Sequence, residues 1–206
     1  MFSTLIAMTQ AKRTRMSPEA RREQLISHGM SMLSDRPLDQ LTIDAIAESV
    51  GVSRALLFHY FESKHDFHVA IAREQSRRML ECTEPDLSLG DPIAILRASM
   101  SEFVDYVSAN RHVYLTMLRG AVGADPAMQE VFTDTRRVMA QRVLDRAGSL
   151  DITPTPMIRI AVDGWMAFVE EVVVAWLTDD DGIRREALLD LITSSLPLLA
   201  AAAASE

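Results

Sequence analysis

The chain has 206 residues, of which 48% are hydrophobic and 24% charged, enough apolar material to bury a core and too much for a disordered segment. Eight glycines, eight prolines and a single cysteine, Cys82, exclude collagen-like, low-complexity and disulfide-stapled classes and suit a reducing cytoplasm. The net charge of −8 is uneven: residues 1–80 carry 11 Lys+Arg against 9 Asp+Glu, residues 81–206 carry 10 against 20, and these balances of +2 and −10 make up the whole. Such asymmetry points to a nucleic-acid-binding end on an otherwise acidic chain; chance clustering on a solvated surface is the bland alternative. No uncharged apolar run reaches the roughly eighteen residues of a membrane span. The first ten residues lack the charged start and long apolar centre of a secretory signal, so no membrane or export role is expected.

Strand signals are nearly absent, while apolar residues recur at helical spacing throughout, so the expected fold is all-α with about nine helices. Ser17-Pro18-Glu19 supplies an N-cap, a proline at the first helical position and an early acid, predicting a first helix from Pro18 to about Leu33, with Pro37 in the break after it. Thr42 caps a short second helix, Ile43–Val50, which Gly51 ends. Ser53 caps a third, Arg54 to about Phe61, and Ser63 a fourth, running to about Cys82. Pro85, Gly90 and Pro92 mark a linker. A fifth helix follows, carrying Ile93, Leu96, Met100, Phe103, Val104 and Val107, and then a short sixth from Arg111 to Leu118, with Gly120 and Gly123 after it. Pro126 opens a seventh that ends near Gly148, and Pro154 and Pro156 an eighth to about Leu177. Beyond the acidic turn Asp179-Asp180-Asp181-Gly182, a ninth runs from Ile183 to about Leu199. Pro197 is expected to kink or fray its end, and Ala200 to Ala204 to fray as a terminus.

The informative stretch is Leu41 to Lys64, LTIDAIAESVGVSRALLFHYFESK. Two short capped helices separated by Gly51-Val52 are what a helix-turn-helix requires, the second entering the major groove with its N-terminal residues at base edges. Ile43, Ile46, Ala47, Leu57 and Phe61 are spaced to pack together against the first helix, which leaves Arg54, Leu56, His59 and Tyr60 facing outward. An ordinary helical hairpin with a capped turn would show the same spacing. Over residues 18–66 the string resembles the DNA-binding domain of the TetR family of bacterial regulators. Thr42, Ile43, Ile46, Ala47, Gly51, Val52, Ser53, Leu57, Phe58, Tyr60, Phe61, Ser63 and Lys64 carry that resemblance. Beyond it, only length and the all-helical pattern are shared.

The resemblance implies a dimeric transcriptional regulator, in its commonest form a repressor released from a two-fold operator by a small-molecule effector. An activator, or a regulator without ligand control, is the alternative. It assigns Thr42, Tyr60 and Lys64 to phosphates and makes Arg54, Leu56 and His59 the candidate base readers, beside Ser53 and Ala55 at the start of the reading helix. A hydroxyl at a helix N-terminus, a phenol and an ammonium are all phosphate donors. Three positions depart from the family pattern: Leu56 replaces a small hydroxyl residue, Ala55 a common glycine, and Phe58 the usual tyrosine. Residues 1–16 are expected to form a flexible basic arm, 17–64 the helix-turn-helix domain and 65–206 a ligand-binding and dimerisation domain. Lys12, Arg13 and Arg15, with Arg21 and Arg22, would reach the minor groove or flanking phosphates; a solvated tail is the other reading. Met8 and Met16 are alternative starts.

The eighth helix is apolar nearly all round, with Ile158, Val162, Trp165, Val169, Val173 and Trp176 on one face. It is expected to pair with the ninth, through Leu188, Leu191 and Ile192, and with the same helices of a second copy; a monomer core is the alternative. For a small, largely apolar effector, the candidate lining between helices four and eight is Met100, Phe103, Tyr114, Met117, Met139, Trp165 and Met166, with Glu170 among the polar residues. A Met and aromatic stripe is more often plain core. Asp163, Arg119 and Arg142 complete the polar candidates. An all-helical enzyme is the remote alternative. Glu62-x-x-His65 has the spacing of carboxylate-bridged di-metal bundles but no second copy, and His65 and His68 form only a weak pair. No phosphate-cradling glycine loop or nucleophile elbow occurs, so no cofactor, metal or catalytic residue is expected.

Overall fold

The computed structural model describes residues 16–33, 41–119, 125–150 and 153–204. The basic arm through Arg15, the break at Pro37, and Gly120 and Gly123 lie outside them. The described elements are all helical: α1 (Pro18–Met32), α2 (Ile43–Val50), α3 (Arg54–Tyr60), α4 (Lys64–Cys82), α5 (Pro92–Ala109), α6 (Arg111–Arg119), α7 (Pro126–Leu144), α8 (Pro156–Thr178) and α9 (Arg185–Ala203). A short 3-10 turn over Leu87–Leu89 lies in the segment read as a linker. Helix α7, expected to reach about Gly148, ends at Leu144 and is followed by a second such turn, Ala147–Leu150.

The helix starts follow from local side-chain chemistry. Ser17, Thr42, Ser53, Ser63, Asp91, Asp125 and Thr155 each accept a hydrogen bond from a backbone N–H of the first turn they cap. At α2 the stop is Gly51, in the left-handed region at φ 70°. Its N–H donates to Glu48 O and that of Val52 to Ala47 O, which closes the turn into α3.

Two apolar clusters divide the packing. The first gathers Leu25, Ile46, Leu57, Phe61, Phe67 and Ile71 from α1 to α4, joined by Val113 of α6 and Met128 and Val131 of α7. Phe61 and Phe67 meet edge to face at 4.7 Å, and Arg22 lies over the Phe61 ring at 4.9 Å. At Gly29 a Cβ would come within 2.7 Å of Ile71 Cδ1 and Phe67 Cζ, so α1 and α4 cross closely there. The second cluster joins α5, α7, α8 and α9 around Trp165, Val104, Val173 and Ile192. The first half of α4 belongs to the first cluster, while Met79 and Leu80 near its end pack against the second.

In α9 the expectation of a fraying end is corrected. Pro197 sits inside the helix, which continues to Ala203 with Ala200 buried. Burial of Leu196, Ala200 and Ala203 against the second cluster compensates the ladder bond that proline removes. The helix also begins later than expected, at Arg185; the Ile183 carbonyl accepts from the Trp176 indole instead, at 2.9 Å. By length and composition alone α9 is apolar enough to cross a membrane, with mean hydropathy 1.4. Here it packs on α5 and α8, and its first residue, Arg185, forms a two-pronged ion pair with Asp105 at 2.8 and 2.6 Å.

Candidate nucleic-acid interface and body cavity

The α2–α3 unit presents one open face. Ile43, Ile46, Ala47, Leu57 and Phe61 are buried as their spacing predicts. Thr42, Ser53, Arg54, Ala55 and His59 are exposed, and Leu56, Tyr60 and Lys64 half-buried. Thr42 and Ser53 use their hydroxyl oxygens as caps, accepting from Ala45 N at 3.1 Å and Leu56 N at 3.2 Å, so each hydroxyl proton stays available to an acceptor. Lys64 opens α4 directly after the reading helix. One feature escaped the sequence reading. Arg54 Nε lies 2.9 Å from Asp44 Oδ1, an exposed pair worth about 0–1 kcal/mol that breaks at little cost. Phe58 is 47% exposed, one turn along from Arg54 on the open face of α3. Arg22, in the first turns of α1, lies over the Phe61 ring.

His65 and His68 take different partners. His68 is buried with Nε2 3.1 Å from Leu41 O, whereas exposed His65 has Nε2 3.7 Å from Asp125 Oδ1. Cys82 is half-buried, and that burial pushes its thiol pKa up.

Two adjoining cavities lie among the described residues of the body. The larger, about 390 Å³, lies between α5, α7, α8 and α9 beside the end of α4. The smaller, about 60 Å³, lies between α4, α5, α6, α7 and α8. Met139 and Met166 line both. Met100 borders the larger, while Phe103, Tyr114 and Glu170 border the smaller. The larger cavity thus departs from the expected position: α9 supplies a wall through Leu196, Pro197 and Ala200, from the stretch expected to fray. Trp165 lines neither. It is fully buried, and its indole N–H donates to Ile192 O at 3.1 Å and Ser195 Oγ at 3.0 Å, locking α8 to α9. Met117 and Arg119 lie outside the described side chains, and Asp163 is exposed. Glu170 is answered internally by Arg136, and burial, aided by the Glu170 charge, holds the Tyr114 phenol well above its usual pKa. Arg142 lines the larger cavity and donates from Nη1 to Leu80 O at 2.9 Å and Thr83 Oγ1 at 3.3 Å, at the end of α4.

A capped two-helix reading unit on an all-helical body with an internal cavity defines a helix-turn-helix transcriptional regulator. Residues 25–71 match the family model of bacterial regulatory proteins of the tetR family, and residues 92–197 that of the tetracyclin repressor-like C-terminal domain. The chain belongs to the TetR family, and the match extends through the body, where the sequence reading found only length and helicity in common. Among its relatives is the transcriptional repressor AcnR of Corynebacterium diphtheriae, 24% identical over 184 residues, covering 85% of this chain and 91% of the relative. The transcriptional activator FasR of Mycolicibacterium smegmatis is 22% identical over 180 residues, covering 85% and 81%. A tetR-family regulator from Streptomyces coelicolor has the same fold, with TM-score 0.80 and 26% identity over 92% of this chain and 84% of that one.

Proposed function

We propose that the protein is a cytoplasmic, dimeric repressor that reads a two-fold operator through α3 and leaves it when a small molecule occupies the body cavity. The observation that carries this reading is α4, whose start bears Lys64 at the reading face and whose end is held by Arg142 at the cavity wall. Residues 17–64 form the DNA head and 65–206 the effector and dimer body, with 1–16 as a basic arm. Thr42, Tyr60 and Lys64 hold phosphates, while Arg54 and His59 read base edges and Leu56 gives apolar contact to a thymine methyl. Ser53 and Ala55 let the helix N-terminus approach the backbone closely. Dimerisation runs through α8 and α9, where Ile160 is 65% and Leu198 71% exposed, both costly to leave in water. One reading helix covers half a two-fold site, so two heads about 34–36 Å apart are needed. An occupant of the cavity tilts α4 as a lever and moves the heads out of register.

Selection from randomised duplex DNA tests this. A two-fold motif should emerge, and Arg54→Ala and His59→Ala should each relax a different position within the half-site. Enrichment of no two-fold motif would overturn the operator reading.

A further inference from the structure

We propose that the occupant of the larger cavity is an amphipathic anion, an apolar chain ending in a carboxylate or phosphate, with its head taken by Arg142, Arg146 and Ser99. This rests on the effector-released reading above and names the chemistry of its ligand. The cavity wall is apolar over Met100, Ile158, Val162, Met166 and Leu196, which suits a hydrocarbon chain. Its polar exceptions are Thr83, Ser99, Arg142 and Arg146, and the charged ones are both cationic. Arg142 and Arg146 both line it, no described Asp or Glu does, and neither arginine forms an ion pair with a described residue. Half-buried guanidinium groups beside an apolar wall gain from a counter-ion that the described residues do not supply.

Two hydrogen-bonding groups there also lack partners. Ser99, 9% exposed, has a buried hydroxyl with no hydrogen bond, and Arg146 Nε is buried and unpartnered, although its Nη1 donates to Arg142 O at 2.7 Å. Native structures leave few such groups; both sit just behind the cavity wall, so a ligand oxygen meets them once the lining side chains shift to admit it. The smaller cavity is the wrong place for the head, because its arginine, Arg136, is already neutralised by Glu170. An anion there would have to displace one carboxylate to gain another. Met139 and Met166, flexible and shared by both cavities, leave the chain's far end room to extend toward the second.

The same chemistry explains how binding is felt. Arg142 caps α4 by donating to Leu80 O and Thr83 Oγ1. A head group that draws Arg142 toward itself competes with that cap and frees the end of the lever helix.

Calorimetric titration of the full chain with decanoate, decyl phosphate, decanol and decylammonium tests the assignment. At least one of the two anions should bind about tenfold or more tighter than decanol, as expected for one charge-assisted hydrogen bond, and decylammonium should bind more weakly still. Whichever anion binds tighter identifies the head group as carboxylate or phosphate. Arg146→Met should erase most of the anion preference while decanol affinity stays. Ser99→Ala should weaken the anion and raise the melting temperature of the ligand-free chain, because an unpartnered buried hydroxyl is gone. Equal affinity for all four heads, or anion affinity unchanged in both variants, would overturn the proposal. A neutral compound that fills the cavity and releases operator would also overturn it and leave the repressor reading standing. An anion that binds with full dependence on Arg146 yet leaves operator affinity unmoved would support the site and sink the release.

Discussion

The head and the body solve different problems with the same kind of helix. Around α1 to α3 the core is closed: Leu25, Ile46, Leu57 and Phe61 are essentially without exposure, every helix start is capped, and no described buried polar side-chain atom lacks a partner. The body and the half of α4 that meets it hold both cavities and all the unpartnered polar atoms described, on Gln75, Ser99, Arg136 and Arg146. A reading helix must be held rigidly, since small displacements lose base contacts. Under the proposed function, the body keeps space and unmet hydrogen bonds for an effector that comes and goes.

The largest effect should come from removing the bolt of the body. Trp165→Ala deletes a fully buried ring and the donor to Ile192 O, and should cost about 3–5 kcal/mol in denaturant unfolding, with α8 and α9 separating and the dimer lost. A loss below 1 kcal/mol would mean the body is as loosely packed here as at its cavities. In the head, Gly29→Val should cost about 1–3 kcal/mol by forcing methyls onto Ile71 and Phe67, and its failure to destabilise would show that the α1–α4 crossing has slack.

On DNA the contrast turns on which contacts specify. Arg54→Ala and His59→Ala should each cost about 1–3 kcal/mol at one base position, whereas Tyr60→Phe and Lys64→Ala should weaken all sequences alike, Lys64→Ala lowering the salt slope by about one. Binding titrations at several salt concentrations separate the two patterns. If Lys64→Ala changed base preference and left the slope alone, the phosphate and base roles would have to be exchanged.

The smallest effect is in acid. Hydrogen bonding from Arg77, with a lesser contribution from Arg78, lowers the Glu74 carboxyl from 4.5 to about 2 against the opposing effect of partial burial. The folded state therefore binds the proton more weakly than the unfolded chain. Stability from this group is complete above about 4.5 and is lost as pH falls toward 2. Glu74→Gln should flatten this part of the acid limb; an unchanged limb would place it on other carboxylates.

The head was far more legible in the sequence than the cavity, for a physical reason. Thr42, Gly51, Ser53 and Ser63 each answer a local backbone demand, so their identity and spacing fix the turn, and α2 falls at Ile43–Val50 as read. A methionine or aromatic residue answers only a demand for apolar volume, which core and cavity make alike. Phe103 and Trp165 therefore read the same in the sequence, yet one borders a cavity and the other bolts two helices. The cavity wall in α9 was hidden because its small residues and Pro197 carry the signature of a fraying end. Arg142 and Arg146 show their charge in the sequence, but not that no described acid faces them.

The most direct measurement is a pair of titrations: operator DNA into the protein with and without saturating decanoate or decyl phosphate, whichever binds, and the same anion into the protein with and without operator. If α4 couples cavity to head, the two ligands must weaken each other by one and the same factor, typically about 5–150-fold. Tight binding of the anion with operator affinity unmoved would contradict the coupling and leave α4 a rigid spacer between two independent halves.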